Sequence, residues 1–245
     1  MSGNGSADFT YVGSELDLFA RASNWKKYWV GCVRPYIRGR VLEIGAGIGS
    51  NTVALAHAGD DWTCLEPDAR LVERLGRRLS EHGLTVRVIH GTTANIQSRG
   101  QYDCAIYIDV LEHIEDDHRE LAHAAALLRP GGRLIVLAPA HQFLFSPFDA
   151  SIGHFRRYSR GTLLAAAPPA LDVERTFYLD SVGAVASAVN RLALRQSMPT
   201  AGQLRFWDGV LVRASRVLDP VLRYRVGKSV VAVWRRAGGG AEPRQ

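Results

Sequence analysis

Seven short apolar runs, most of them separated by helix-forming stretches, predict an α/β protein. The expected fold is a doubly wound, mostly parallel seven-stranded sheet with a helical insertion before the last strand. Strand and helix patterns alternate from residue 40 to residue 138, and helices of that length imply right-handed crossovers between parallel strands. The first apolar run passes into glycines at alternate positions, Gly45, Gly47 and Gly49, and then into a helix. Further on, Pro130-Gly131-Gly132 reads as a sharp helix-to-strand turn.

Each element has its own signal. Ser14 to Tyr36 reads as one amphipathic helix, with Leu16, Leu18, Phe19, Trp25, Tyr28 and Trp29 available for packing and Pro35 helping to end it. Strands are expected over Arg40 to Ile44, Trp62 to Glu66, Thr85 to His90, Tyr102 to Asp109 and Arg133 to Ala138. The helices between them cover Asn51 to Ala58, Asp68 to Glu81 and Asp116 to Leu128. A loop rich in His, Phe and Arg then runs to Tyr158, followed by a short helix over Arg160 to Ala167 and a strand over Val173 to Leu179. Two helical stretches, Ser181 to Arg195 and Leu204 to Leu218, precede a closing strand over Ser229 to Arg235. The chain thus divides into an N-terminal helical cap (1–36), an α/β ligand-binding core (37–138), and a segment (139–245) that holds the substrate-side loop, the insertion and the closing strands of the same domain.

Composition narrows the class. Of 245 residues 47% are hydrophobic and 22% charged, the balance of a globular protein, with polar ends at Met1 to Asp8 and Gly238 to Gln245 expected to fray. The net charge of +6 favours anionic partners without establishing nucleic-acid binding. Cys32, Cys64 and Cys104 are widely spaced, form no CxxC pair and suit buried free thiols in a reducing compartment. The chain start shows no secretory pattern, and no apolar stretch reaches the roughly 18 residues of a membrane span. A cytoplasmic location is expected.

The run Val41-Leu42-Glu43-Ile44-Gly45-Ala46-Gly47-Ile48-Gly49 is where chemistry enters. Glycine is needed there because the backbone turns tightly and a ligand must approach without a Cβ in the way. The next strand ends Cys64-Leu65-Glu66-Pro67-Asp68, and an acidic side chain at that point can accept both hydroxyls of a ribose. Nicotinamide enzymes share this device. Their third glycine or alanine, however, would fall at Ser50, and Glu43 beside the loop would repel a pyrophosphate while suiting a positively charged amino group. S-adenosylmethionine has such a group and no phosphate.

On these motifs the chain resembles the class I S-adenosylmethionine-dependent methyltransferases of small molecules, over about Val41 to Ala138. "VLEIGAGIGSNT", "CLEPD", "YDCAIYIDVLEHIEDD" and "LLRPGGRLIVLAP" are similar to that family's first, second-strand, fourth-strand and fifth-strand motifs. The resemblance implies the Rossmann-like methyltransferase fold and S-adenosyl-L-methionine as cofactor. Glu43, Gly45, Ala46 and Gly47 would hold its methionine part, and Glu66 with Pro67 the ribose. Asp109, Val110 and His113 would lie near the sulfonium. Many members carry Gly-Asp-Ala after the third strand, with the Asp on the adenine; here Gly91-Thr92-Thr93-Ala94 stands instead, leaving a Thr92 or Thr93 hydroxyl or a backbone carbonyl for that role.

A sulfonium methyl is already activated, so transfer needs alignment and exclusion of water, and an alcohol or ammonium acceptor needs a base as well. His113, His141 and His154 are the candidates. "FSPFDASIGHFRRYSRGTL" resembles the region after the fifth strand in a subset of small-molecule methyltransferases. There Arg156 and Arg157 can bind a carboxylate or phosphate and Tyr158 a polar group, or the arginines can anchor the loop. In the second case the acceptor site is expected near Tyr11, Trp25 and Tyr28. No metal is expected, because His113, His118 and His123 lack a supporting Cys or acidic ligand set. The expected reaction is methyl transfer to O or N, less readily C, of a small molecule that can be anionic. An RNA methyltransferase or a non-catalytic binding protein of the same fold are the alternatives. RNA is disfavoured by Asp109-Val110-Leu111-Glu112, which stands where (Asp/Asn)-Pro-Pro-aromatic would be. The 181–226 helices can serve as a lid, a homo-oligomer interface or a membrane-surface contact.

Overall fold

Aliphatic runs bordered by glycine or acidic turns form seven strands: β1 (Val41–Ile44), β2 (Trp62–Glu66), β3 (Arg87–His90), β4 (Tyr102–Ile108), β5 (Leu128–Pro139), β6 (Leu171–Leu179) and β7 (Ser229–Arg236). The computed structural model describes residues 11, 15–57, 59–97, 99–193 and 200–238. The sequence expectations for Met1 to Asp8, Ser14, Ala58, 194–195 and 239–245 fall outside them. The strands make one sheet in the order β3-β2-β1-β4-β5-β7-β6. The first five are parallel, whereas β7 runs antiparallel between β5 and β6. This is the Rossmann-like methyltransferase fold.

Helices cover both faces: α1 (Leu16–Phe19), α2 (Ser23–Val33), α3 (Ser50–Leu55), α4 (Ala69–Glu81), α5 (Asp117–Leu127), α6 (Pro147–Ser151), α7 (Arg160–Ala166), α8 (Ser181–Ala193), α9 (Ala201–Phe206) and α10 (Val212–Val221). A π-turn over Trp207–Leu211 joins the last two. On one face Trp25, Trp29, Leu55, Trp62, Leu75 and Val212 pack together; on the other Leu121, Ala124, Leu163, Tyr107 and Trp234 do so. β1 is buried at every residue, Glu43 included, as a central parallel strand covered on both faces must be.

Three expectations are corrected. The N-terminal helix is broken after Phe19, because the Lys26 ammonium donates to the Ala20 carbonyl at 2.9 Å while Asp208 accepts from Asn24 and Trp25 amides at the start of α2. Pro130 to Gly132 lie inside β5, whose register shifts opposite Tyr102 and Cys104. A Cβ at Gly132 would sit 2.9–3.2 Å from three backbone carbonyl oxygens, so glycine allows that close approach. Finally, the loop before Tyr158 contains α6, started by Pro147 and a capping box between Ser146 and Asp149.

Candidate functional site

The parallel strands all end at one edge, and the antiparallel β7 begins there. Just beyond β4, β5 and β6 the backbone turns left-handed at residues that are not glycine: Asp109 (φ 53°), His141 (φ 67°) and Asp180 (φ 65°). Strain of this kind is held by surrounding structure and concentrates at functional sites.

The glycine loop is built for close approach. Gly45, Gly47 and Gly49 all have positive φ. A Cβ on Gly45 would lie 2.7 Å from both Val110 methyls, so glycine is required there for packing. A Cβ on Gly47 would meet nothing closer than Leu16, at 3.9 Å, so this position opens onto free space. The Gly47 amide donates to Glu66 Oε2 at 2.8 Å and the Asp68 amide to Glu66 Oε1 at 3.0 Å. Backbone thus fixes a buried carboxylate whose remaining lone pairs can accept hydroxyls; burial raises the Glu66 pKa. Ala46 is buried with its amide on the Leu65 carbonyl, and the Pro67 carbonyl lies 3.0 Å from His90 Nε2. These features fit a nucleoside with an extended tail.

Glu43 is placed deeper than the loop surface. It accepts from Trp62 Nε1 at 2.9 Å, and Cys64 and Thr52 lie beside it. Burial pushes its carboxyl up to about 7, against the pull of those hydrogen bonds. Between the ordinary value of about 4.3 and that raised value, the folded chain keeps a proton the unfolded chain has lost. Stability should therefore fall as pH rises through this window. Glu43→Gln keeps an acceptor for Trp62. Without cofactor it should match the parent's melting temperature near pH 4.5 and exceed it at pH 8. Parallel melting curves across the window would show that the carboxyl is not desolvated.

Thr92 and Asn95 cap a turn after β3, and the Thr93 hydroxyl donates to Glu120 at 2.8 Å, so both threonine side chains have protein partners. Asp109 is exposed to solvent yet surrounded by protein, and that surrounding raises its carboxyl to about 6. An accessible side chain in such a setting lines a concavity. Tyr11 crosses above it: its amide donates to Asp68 at 2.7 Å, its hydroxyl to Glu15, and its ring lies 5.5 Å from that of His113.

Two of the three candidate histidines sit together and the third stands apart. His154 Nδ1 is 2.9 Å from Asp149 Oδ1, leaving Nε2 3.8 Å from Glu112 Oε1. His113 lies against it, ring centroids 4.5 Å apart, and burial lowers its pKa to about 3, so it is neutral and a weak base. His141 stands apart, stacked on Tyr178 at 4.9 Å, with its pKa lowered by burial. Glu112 is fully buried, and among the described residues neither carboxyl oxygen has a hydrogen-bond partner. Burial first, then Asp109, raises its pKa well above the usual range. Donor atoms of Glu112, His113 and His154 lie within 4.8 Å of one another, a group able to meet a cation.

Four expected substrate contacts are revised, because their polar atoms are already used by the protein. Arg157 holds the fully buried Asp149 with two bonds of 2.9 and 3.0 Å. Arg156 pairs with Asp117 at 2.8 Å, and the buried Tyr158 donates to the same carboxylate at 2.7 Å. Tyr28 donates to Asp219 at 2.6 Å inside the helical face of the core. They hold the site's walls.

Several residues that complete the edge gave no strong motif. Lys228, just before β7, lies 4.8 Å over the Trp207 ring, within electrostatic reach of Asp109, Asp149 and Asp180. Its pKa is lowered by burial. Trp207 donates to Asp180 at 2.7 Å and packs edge-on against Phe19, which also touches Phe148. The result is an aromatic wall with one ammonium. A lone lysine beside an antiparallel strand could have been assigned to this edge only by knowing the strand's direction.

The model for the methyltransferase domain family matches residues 17–168, and the chain belongs to that family. A ubiquinone biosynthesis O-methyltransferase of Maricaulis maris is 28% identical over 104 residues, 42% of this chain and 41% of that protein. A non-canonical nonribosomal peptide synthetase of Salinispora arenicola is 30% identical over 193 residues, 73% of this chain and 2% of the synthetase. The chain thus spans less than half the length of these curated relatives. A geranyl diphosphate C-methyltransferase of Streptomyces coelicolor, solved with Mg2+, geranyl diphosphate and S-adenosyl-L-homocysteine, shares the fold with a TM-score of 0.62 at 14% identity. That match covers 92% of this chain and 84% of that one.

Proposed function

We propose that the chain transfers the methyl group to an oxygen, or a nitrogen, of a small organic molecule bound against the aromatic wall. The single observation that carries this reading is Glu112, whose two buried oxygens, without a hydrogen-bond partner among the described residues, need a polar group beside His113 and His154. A carboxyl kept protonated by burial can donate one hydrogen bond and accept another, which suits an acceptor hydroxyl. In this reading Gly47 would hold the cofactor's methionine part and Glu66 its ribose, with Asp109 and Val110 beside the sulfonium. When bound, S-adenosylmethionine would supply a methyl carbon open to the acceptor oxygen, with the carbon–sulfur electrons leaving on sulfur. His154 Nε2 takes the acceptor's proton, since Nδ1 is committed to Asp149. Lys228, not the paired arginines, receives any anionic substituent. The ubiquinone biosynthesis O-methyltransferases among the relatives support an oxygen acceptor, while a structural neighbour carries out C-methylation.

The test uses methyl-labelled S-adenosylmethionine with a panel of phenols, carboxylic acids and amines. Label should appear in a small molecule. His154→Gln should lower kcat about 10²–10⁴-fold, the range for losing a general base, with S-adenosylhomocysteine affinity unchanged. Label in RNA, or none in any acceptor, would overturn the proposal. A second reading rests on the Glu112, His113 and His154 donor group, which could hold a divalent cation. Loss of transfer on dialysis against a chelator, restored by Zn2+ or Mn2+, the ions that suit two imidazoles and a carboxylate, would favour it.

A further inference from the structure

The insertion carries an unusual division of charge. From residue 200 to 227 the described chain holds Asp208 and Asp219 as its acidic residues, and both are buried. Asp208 caps α2 through Asn24 and Trp25, and Asp219 accepts from Tyr28 and from the Asp180 and Ser181 amides. Fold-building thus removes the negative charge from the outer surface. Left outside are Arg205, Arg213, Arg216, Arg223 and Arg225, all exposed, none in an ion pair among the described residues. Elsewhere Arg34, Arg40, Arg74, Arg129 and Arg133 each hold a carboxylate; what sets the 200–227 segment apart is that no exposed carboxylate stands among its arginines.

Between these arginines lie exposed apolar side chains. Val217 is 70% and Val221 74% exposed, with Val210 and Phe206 above half. In α10 the buried ridge is Val212, Ser215 and Asp219, and Val217 and Val221 stand on the opposite side at i and i+4. Packed beside α10, α8 adds Val185 and Val189, exposed at 62% and 60%, and has no charged residue from Ser181 to Val189. Unpaired arginines around protruding aliphatics are the pattern of a helix lying in a lipid–water interface. There the guanidiniums meet anionic headgroups while the apolar tips enter the acyl boundary. No described helix is long and apolar enough to cross a membrane.

We propose that α8, α9 and α10 form a face that docks reversibly on an anionic lipid bilayer. The occupant is a bilayer because the charge outside is of one sign and the valines protrude singly between arginines. The face adjoins the site through the π-turn that carries both Val210 outward and Trp207 toward Lys228, so an acceptor dissolved in the membrane would have a short path to the aromatic wall.

The test is co-sedimentation of the full chain with vesicles of neutral phosphatidylcholine, alone or mixed with anionic phosphatidylglycerol. Binding is expected only with the anionic lipid, and should fall when salt is raised to about 0.5 M, where screening is within a few ångströms. Each arginine near such a surface is worth about a factor of five in partitioning. Arg213→Glu with Arg216→Glu should therefore weaken binding by about 25-fold or more. Val217→Ser with Val221→Ser should weaken it by about fivefold or more, with circular dichroism and S-adenosylhomocysteine affinity unchanged in both. No binding to anionic vesicles at low salt would overturn the proposal. So would a parent dimer in light scattering that these same substitutions dissociate, since the face would then be a protein interface.

Discussion

Gly47→Val is expected to weaken S-adenosylhomocysteine binding by about 100-fold or more while the protein stays folded. Two effects act together. At φ 56° a β-branched residue is strained by roughly 1–3 kcal/mol. Its branches also enter the space above the loop, where the nearest protein atom to a Cβ is a Leu16 methyl at 3.9 Å. The space is therefore closed to a ligand without a clash against the protein. The Gly47 amide also holds Glu66 Oε2, so a shifted backbone disturbs the proposed ribose contact. Strain alone should lower the melting temperature by a few degrees, since 1 kcal/mol moves a chain of this size by about 2–4 °C. Gly45→Ala is the contrast. Its Cβ would strike Val110 at 2.7 Å, so stability and binding should fall together. Calorimetry on both variants separates the cases, and normal affinity in Gly47→Val would mean that the cofactor does not cross this loop.

Asp149→Ala should have the largest effect on stability, about 3–5 kcal/mol, the usual result of leaving buried charges unpaired. Asp149 has no exposed surface and accepts from the Ser146 amide and hydroxyl, His154 Nδ1 and both arms of Arg157. Removing it strands the guanidinium and releases the histidine, so urea denaturation should show the loss and kcat should fall with it. Those partners hold the Asp149 carboxyl far below its usual range, despite burial. A depressed carboxylate contributes its stability above the unfolded value, near 4, and loses it progressively as pH falls further. The parent should thus be acid-sensitive below about pH 4, and Asp149→Asn should be flatter there while less stable at pH 7. A loss under about 1 kcal/mol in Asp149→Ala, well below the buried-pair range, would show that His154 and Arg157 are held by something else.

Much of the fold is legible in the residues. The first five strands, the glycine loop and Glu66 follow from local rules: apolar runs, glycines where φ must be positive, an acid at a strand end. The helix breaks and the sheet-internal Gly132 were less legible, because they depend on partners far away in sequence. Asp208, 184 residues from Asn24, interrupts an otherwise continuous helical pattern. The arginines show the same limit. A sequence offers Arg156 and Arg157 as free cations, and nothing local reveals that Asp117 and Asp149 have already claimed them.

The sequence by itself determined the class of fold and the methyltransferase family, because these rest on contiguous motifs whose backbone geometry is set within a few residues. Only the tertiary structure decided how the acceptor side is built. It took the assembled sheet to carry Lys228 to the carboxyl edge on an antiparallel strand, and to bury Glu112 beside two histidines. It also turned both insertion aspartates inward and left arginines outside. Burial and pairing are properties of space, and they decide which ionisable groups remain free to act.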